Sequence, residues 1–274
     1  MNKSREPVAV FPILSSLIEQ RTGLHHDLLK RDVFIERASE CATQAGFESL
    51  LDYYYFLRYD PRADDELQLL TEALVVSETY FFRELEQLRV IVSGFLEPLV
   101  RSGWRPRVWS AACATGEEPL TLAMLLAETG LLADVDIVAS DISARALARA
   151  QEGRFTPNAV RLGSDDALVR KWLKQLERGH WQIARPLVDA IAWKQINVCD
   201  AADVEGLGAF DLILCRNVLI YFGHATVVRV LSSLSGVLKP QGSLFVGVSE
   251  SLLRFGTMLS CEERAGVFFY RPSA

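Results

Sequence analysis

Several kinds of protein are excluded by what this chain lacks. Its 274 residues contain no stretch of about 18 or more apolar residues, so no membrane-spanning helix is expected. The most apolar window, FDLILCRNVLIYF, carries Arg216 and Asn217 at its centre. The N-terminal segment MNKSREPVAVFPILSSLIEQ is no secretory signal: its apolar run is short, broken by Pro12, and lacks a small-residue cleavage site. Five cysteines (Cys41, Cys113, Cys199, Cys215, Cys261) are odd in number and scattered, with no CxxC pair. Four histidines form no HExxH, and no Cys/His cluster has metal-ligand spacing, so neither a disulfide framework nor a metal centre is expected. The thiols read as buried and reduced, in a cytoplasmic protein. Net charge is −6, and Lys and Arg are spread along the chain rather than gathered in the basic stripe that neutralises phosphates, so no nucleic-acid partner is expected.

What is present is a large apolar fraction, 50%, enough for one big core or two modest ones. Residues 8 to about 76 read as helices. Phe11, Leu14 and Ile18 lie at helical spacing, as do Phe47, Leu50, Leu51, Tyr54 and Leu57, then Leu67, Leu70 and Leu74. A further helix is predicted from about 81 to 101, weakened by Gly94 and Pro98. From Arg107 the period changes. Short apolar strands at 107–112, 135–141, 210–216 and 243–249 alternate with helices at 117–129, 143–152 and 224–237. That alternation predicts an α/β fold, a doubly wound and mostly parallel sheet covered on both faces. Between Gly153 and about Trp193 the alternation lapses, which suggests an inserted subdomain at 154–193. A last strand, VFFYRP (267–272), is expected near the sheet edge. The expected domains are 1–76, all helical, and 77–274, the sheet domain.

Ligands of such sheets bind beyond the carboxyl ends of the strands. The first strand-to-helix turn, AACATGEEP (111–119), is neither GxGxxG nor a GxxxxGK[ST] phosphate loop. Glu117 and Glu118 at a helix start would repel a pyrophosphate and suit a cationic or hydroxyl-bearing ligand. The second strand ends in Asp141, where an acid commonly binds ribose hydroxyls. A ribose without phosphates, attached to a cation, describes S-adenosylmethionine. The bland alternatives are that Glu117 and Glu118 complement the helix dipole and that Asp141 caps the next helix. The succession of these acids on consecutive strands favours the cofactor.

One stretch stands apart: SETYFFRE (77–84), both aromatic and charged. Together with VWSAACATGEEPLTLAM (108–124), ASDISARALARAQEGRF (139–155), FDLILCRNVLIYF (210–222) and LKPQGSLFVGVSESL (238–252), it resembles the CheR family of chemotaxis protein-glutamate methyltransferases. LIEQRTGLH (17–25) extends the resemblance over nearly the whole chain. The resemblance implies a Rossmann-like S-adenosylmethionine-dependent methyltransferase domain with a small helical N-terminal domain and a small β subdomain. It implies transfer of a methyl group to glutamate side chains of a methyl-accepting chemoreceptor, with S-adenosylhomocysteine as product. The partner would be the receptor's cytoplasmic domain, the enzyme a monomer with no membrane insertion.

By the same resemblance, Ser77, Thr79 and Arg83 would contact the cofactor's methionine end or line the transfer site. Glu118 would hold its amino-acid portion, Asp141 its ribose, and Asn197 and Val198 would flank the adenine. Arg216 and Asn217 would complete the pocket, and Tyr221 would stand near the methyl. Arg83 and Tyr221 are the candidate catalytic residues. Competing structural roles exist: core packing for Phe81, Phe82 and Tyr221, a cap for Asn197, and for Arg216 an ion pair with a carboxylate the sequence does not identify. Thr79 and Arg83 share a helix face if the helix begins by Thr79.

The chain departs from the family pattern in three places. Ser77 stands where Asn is common, and Gly247-Val248-Ser249-Glu250 stands where Gly-His-Ser-Glu is frequent. Residues 1–70 hold eight Lys/Arg against twelve Asp/Glu, a net of −4, where well-known members are basic. A glutamate acceptor, with a reference pKa of about 4.3, needs no general base. That agrees with the lack of a defensible Ser-His-Asp or Cys-His set. Two other functions share these features: a small-molecule methyltransferase using the helical domain as a lid, and a non-catalytic S-adenosylmethionine-binding regulator.

Overall fold

The computed structural model describes residues 6–161 and 163–273. The first five residues, where the leader reading begins, lie outside the described residues. The chain divides into two compact units: residues up to Val76 together with Tyr221–Thr226, and Ser77–Ile220 together with Val227–Ala274. No helix among the described residues is long and apolar enough to cross a membrane.

The helical unit contains α1 (Glu6–Thr22), α2 (Arg31–Gln44), α3 (Leu50–Tyr59) and α4 (Asp64–Leu74). Its core is Leu14, Ile18, Phe34, Ala38, Tyr53, Leu57, Leu70 and Leu74, all buried. Ser49 caps α3 by accepting from the Asp52 N–H. On α3 the fully buried aromatic is Tyr53, whose hydroxyl donates to Glu66 Oε1 at 2.7 Å, while Tyr54 is half-buried. The segment 221–226 joins this unit through a bridge between Leu24 and Phe222 and a hydrogen bond from the His25 N–H to the Tyr221 carbonyl, 2.8 Å.

The larger unit begins with α5 (Leu85–Ile91), a π-helical stretch (Val92–Leu96) and α6 (Glu97–Arg101). The single helix expected from 81 is therefore corrected: residues 81–84 form a turn. Two amides that would open the helix are bonded elsewhere, Phe81 N–H to the Ala159 carbonyl (2.8 Å) and Phe82 N–H to Thr121 Oγ1 (3.2 Å). Thr79 and Arg83 consequently share no helix face.

Among the described residues ten strands follow: β1 (Arg107–Ala111), β2 (Asp136–Asp141), β3 (Arg154–Phe155), β4 (Leu173–Gln175), β5 (Trp181–Ile183), β6 (Ile191–Gln195), β7 (Phe210–Leu214), β8 (Leu238–Phe245), β9 (Leu259–Arg264) and β10 (Val267–Pro272). Seven form the main sheet in the order β6-β2-β1-β7-β8-β10-β9. β6, β2, β1, β7 and β8 run parallel, while β10 is antiparallel to both β8 and β9. The fold is thus the doubly wound, mostly parallel α/β sheet expected. The order reverses at β1, which leads into α7 (Glu117–Glu128); β2 leads into α8 (Ala144–Glu152). Strand β8 begins and ends earlier than the sequence suggests, and β10 lies one strand inside the edge, covered by β9.

The break at 154–193 contains a three-stranded antiparallel sheet, β3-β5-β4, with α9 (Asp166–Trp172) and α10 (Arg185–Asp189). The remaining helices are α11 (Ala201–Glu205) and α12 (His224–Gly236). Phe81, Leu88, Ile91, Val108, Leu122, Leu212, Phe245 and Phe269 belong to one continuous core of the larger unit.

Candidate active site

At the carboxyl edge of the main sheet, the turn after β1 is shaped by left-handed residues, Ala112 (φ 56°), Ala114 (φ 49°) and Gly116 (φ 90°). Gly116 is obligatory twice over: its φ disfavours other residues, and a Cβ there would meet Ala150 Cβ and the Trp193 ring at 2.8 Å. Asp141, at the end of β2, fastens this turn. Its Oδ2 accepts from the Ala114 N–H (2.8 Å) and its Oδ1 from the Ser143 N–H (2.9 Å).

Three carboxylates converge here. Burial pushes the Cys113 thiol well above its usual range, and the charges of Asp141, Glu118 and Glu117 push it further. Those acids therefore share one neighbourhood around Cys113. Glu117 is buried at 3% exposure and accepts from Thr115 Oγ1 at 2.7 Å. Burial pushes its carboxyl up to about 7, against the hydrogen bonds from Thr115 and its own backbone N–H.

Glu118 faces the strand. Its Oε1 accepts from Ser110 Oγ and its Oε2 from Arg216 Nη1, both at 2.7 Å. Arg216, just beyond β7, has a side chain only 1% exposed. Its Nη2 donates to Glu84 Oε2 (2.9 Å) and to the Arg83 carbonyl (3.1 Å). The carboxylates the sequence left unidentified are thus Glu84 and Glu118, 132 and 98 residues away. One guanidinium answers two carboxylates, which leaves net negative charge beside the β1 turn.

The next loop elements complete the arrangement. Asn217 is left-handed (φ 59°) and donates from Nδ2 to Glu84 Oε1 at 3.2 Å. Glu250 Oε2 accepts from the Asn217 N–H (2.7 Å) and the Gly247 N–H (2.8 Å). Burial raises the Glu250 carboxyl pKa; hydrogen bonds from the N–H groups of Gly247, Asn217, Leu219 and Ile220 oppose it. Asn197, after β6, accepts from the Cys199 N–H at 3.0 Å through Oδ1, and its own N–H donates to Asp203 Oδ2. Val198 beside it is buried.

The structure therefore joins the Arg83 backbone, Glu118, Arg216 and Asn217 in one hydrogen-bonded network, with Asp141 beside it around Cys113. Ser77 and Thr79 lie on the irregular segment before the 81–84 turn, Ser77 exposed and Thr79 half-buried. The Arg83 guanidinium makes one long contact, Nη1 to the Glu78 carbonyl at 3.4 Å, and stands 5.7 Å from the Tyr80 ring. Tyr221 falls in the helical unit, where Lys30 Nζ lies 5.7 Å from its ring centre.

Sequence reasoning missed Glu84 and Glu250. Both sit inside quoted motifs, so the available signal was an acid beside buried aromatics (Glu84) and an acid just after a buried strand (Glu250).

The donor set fits S-adenosylmethionine. Acids dominate at the ends of β1 and β2, buried Arg216 is consumed by two carboxylates, and no phosphate cradle exists in the β1 turn.

A family model described as CheR methyltransferase, SAM binding domain, matches residues 77–266. Chemotaxis protein methyltransferase 2 of Vibrio cholerae is 33% identical over 259 residues, covering 92% of this chain and 89% of that protein. Chemotaxis protein methyltransferase 1 of Pseudomonas aeruginosa is 29% identical over 252 residues, covering 89% and 90%. A probable biofilm formation methyltransferase, WspC of Pseudomonas putida, is 34% identical over 239 residues, and the match covers 86% of this chain but 55% of that longer protein. Fold, site and relatives define an S-adenosylmethionine-dependent methyltransferase. The chain belongs to the CheR methyltransferase family.

Proposed function

We propose that the protein transfers a methyl group from S-adenosylmethionine to glutamate carboxylates in the cytoplasmic domain of a methyl-accepting chemoreceptor, forming glutamyl methyl esters. The observation that carries this reading is the Arg216 network, which fastens the SETYFFRE segment, through Glu84 and the Arg83 carbonyl, to Glu118 at the cofactor edge. The relatives named chemotaxis protein methyltransferases support a protein acceptor. The proposed setting is the cytoplasm, with the enzyme acting as a monomer.

S-adenosylmethionine supplies a methyl carbon made electrophilic by its sulfonium. The residues that would hold it are Asp141 at the ribose, Asn197 and Val198 at the adenine, and Ser77, Thr79, Arg83 and Asn217 toward the methionine end. Glu118, with both oxygens engaged by Ser110 and Arg216, acts through its charge and by fixing Arg216. The acceptor carboxylate is ionised near neutral pH, so no residue need remove a proton. A carboxylate oxygen forms the new bond to the methyl carbon as the carbon–sulfur bond breaks, and that bond's electron pair stays on sulfur. Positive and negative charge are neutralised together. Arg83 therefore serves best by orienting the acceptor, since a tight grip on the nucleophile would stabilise the ground state. Tyr221 would fix one carboxylate oxygen by donating its hydroxyl hydrogen. Orientation of this kind contributes about 7–11 kcal/mol in favourable cases.

The test is incubation with methyl-labelled S-adenosylmethionine and purified receptor cytoplasmic fragments. Label on protein that is released as methanol in mild base is expected. Label on a small molecule, or none at all, would overturn the reading. Arg83→Ala and Tyr221→Phe are each expected to lower turnover far more than they lower cofactor affinity by calorimetry.

A further inference from the structure

We infer that Glu84 is a positioning residue of the transfer site, whose carboxylate ties the strained turn carrying Arg83 to the loops that follow β7 and β8. The inference rests on the reading of Arg83 as the group that orients the acceptor carboxylate.

Arg83 sits between two left-handed residues, Phe82 (φ 66°) and Glu84 (φ 51°). For side chains of this size such conformations are unfavourable and persist only where their surroundings impose them. Among the described residues the guanidinium of Arg83 is lightly held, by the 3.4 Å contact to the Glu78 carbonyl and by the Tyr80 ring 5.7 Å away. Its direction is therefore set by its backbone, and the backbone is set by its neighbours.

Glu84 does not cap its own helix: it occupies the N-cap position of α5, yet its side chain accepts nothing from that helix. Instead it reaches across the sheet edge. Oε2 accepts from Arg216 Nη2 (2.9 Å) and from the Val248 N–H (3.1 Å), and Oε1 accepts from Asn217 Nδ2 (3.2 Å). Three donors on two loops converge on one carboxylate, and Arg216 simultaneously holds the Arg83 carbonyl. The opposite side of the turn is held by the Phe82 N–H on Thr121.

The approach is tight. A Cβ on residue 247 would lie 2.4 Å from Asn217 Nδ2, so Asn217 reaches Glu84 only because that residue is glycine. At the neighbouring position the contact comes from the backbone, and the Val248 side chain points to solvent at 73% exposure. A valine where the family often has histidine therefore leaves this clamp intact. Burial raises the Glu84 carboxyl, but Arg216, Asn217 and the Val248 N–H outweigh it and hold the group below its ordinary value, so it is charged at neutral pH.

The experiment combines amide hydrogen exchange with a double-mutant cycle. Glu84→Gln keeps the shape and removes the charge; Glu84→Ala removes the clamp; each is paired with Arg83→Ala. Faster exchange at residues 82–87 is expected in both Glu84 variants, with thermal unfolding still cooperative. Turnover of Glu84→Gln should fall about tenfold to a hundredfold, as for a catalytic group displaced by an ångström or so, with cofactor Kd changed far less than turnover. In the Arg83→Ala background the Glu84→Gln substitution should cost nothing further. Unchanged exchange, or losses that multiply in the double variant, would overturn the inference. Wild-type turnover in Arg83→Ala would instead overturn the role given to Arg83 and the catalytic half of the inference with it, while the exchange data still decide whether Glu84 holds the turn.

Discussion

The two ends of β7 each carry a buried ionic cluster, and they are built differently. At the amino end Asp211, 8% exposed, accepts from Trp104 Nε1 (3.0 Å), the Arg107 N–H (2.8 Å) and Lys239 Nζ (2.8 Å). One carboxylate meets one ammonium, both oxygens are bonded, and the left-handed residues nearby are the glycines Gly103 and Gly208. At the carboxyl end Arg216 faces two carboxylates, and three left-handed residues of that end, Phe82, Glu84 and Asn217, bear side chains. Buried Arg216 Nε and Gln87 Oε1 have no hydrogen-bond partner among the described residues. The first cluster satisfies every rule for a stable interior; the second breaks several at once. Such violations collect where a fold serves chemistry rather than stability.

The sharpest way to break the comparison is to remove each hub. Arg216→Met leaves Glu84 and Glu118 facing each other without a cation. A loss of about 3–5 kcal/mol in urea unfolding is expected, as for a broken buried ion pair. Turnover should vanish even at temperatures where the variant is fully folded. Asp211→Asn is expected to cost less, about 1–3 kcal/mol, because Lys239 is partly exposed and hydrates when its partner is lost. Cofactor affinity and turnover per folded molecule should stay at wild-type values. A loss of cofactor affinity in Asp211→Asn would show that the two ends are coupled and erase the distinction.

The contrast also explains which parts were legible in the sequence. Strands such as β1, β2 and β7 are buried along their length, so their apolar runs stand out. β9 has a single buried residue, Leu259, and β3 to β5 are two or three residues long, so neither leaves a pattern to read. The ends of the strands, and so the candidate positions Glu118, Asp141, Arg216 and Asn217, followed from the alternation and the family motifs. What did not follow was geometry enforced at a distance. The helix expected from 81 starts at Leu85 because Thr121 and Ala159 capture the amides of Phe82 and Phe81, and no local pattern encodes partners about 40 and 80 residues away. Nor did the sequence suggest that Tyr221–Thr226 would group with the helical unit.

The smallest expected effect concerns the acid that neither cluster pairs. Glu117 lies in the first turn of α7 beside Glu118, yet its carboxyl is met by the Thr115 hydroxyl and its own backbone N–H rather than by a cation. Its carboxyl is raised from 4.5 to about 7, with burial as the largest cause. A raised carboxyl binds its proton more tightly in the folded state, so its contribution to stability is full below about pH 4.5 and is lost as pH rises through 7. Glu117→Gln removes this dependence. The unfolding free energy of the variant minus that of wild type should therefore climb between pH 5 and pH 8, by about 1–3 kcal/mol, which is the scale of a shift of this size. A difference that stays flat across the range would mean that Glu117 is already ionised at pH 5 and that the carboxyl end of the sheet finds it a cation after all.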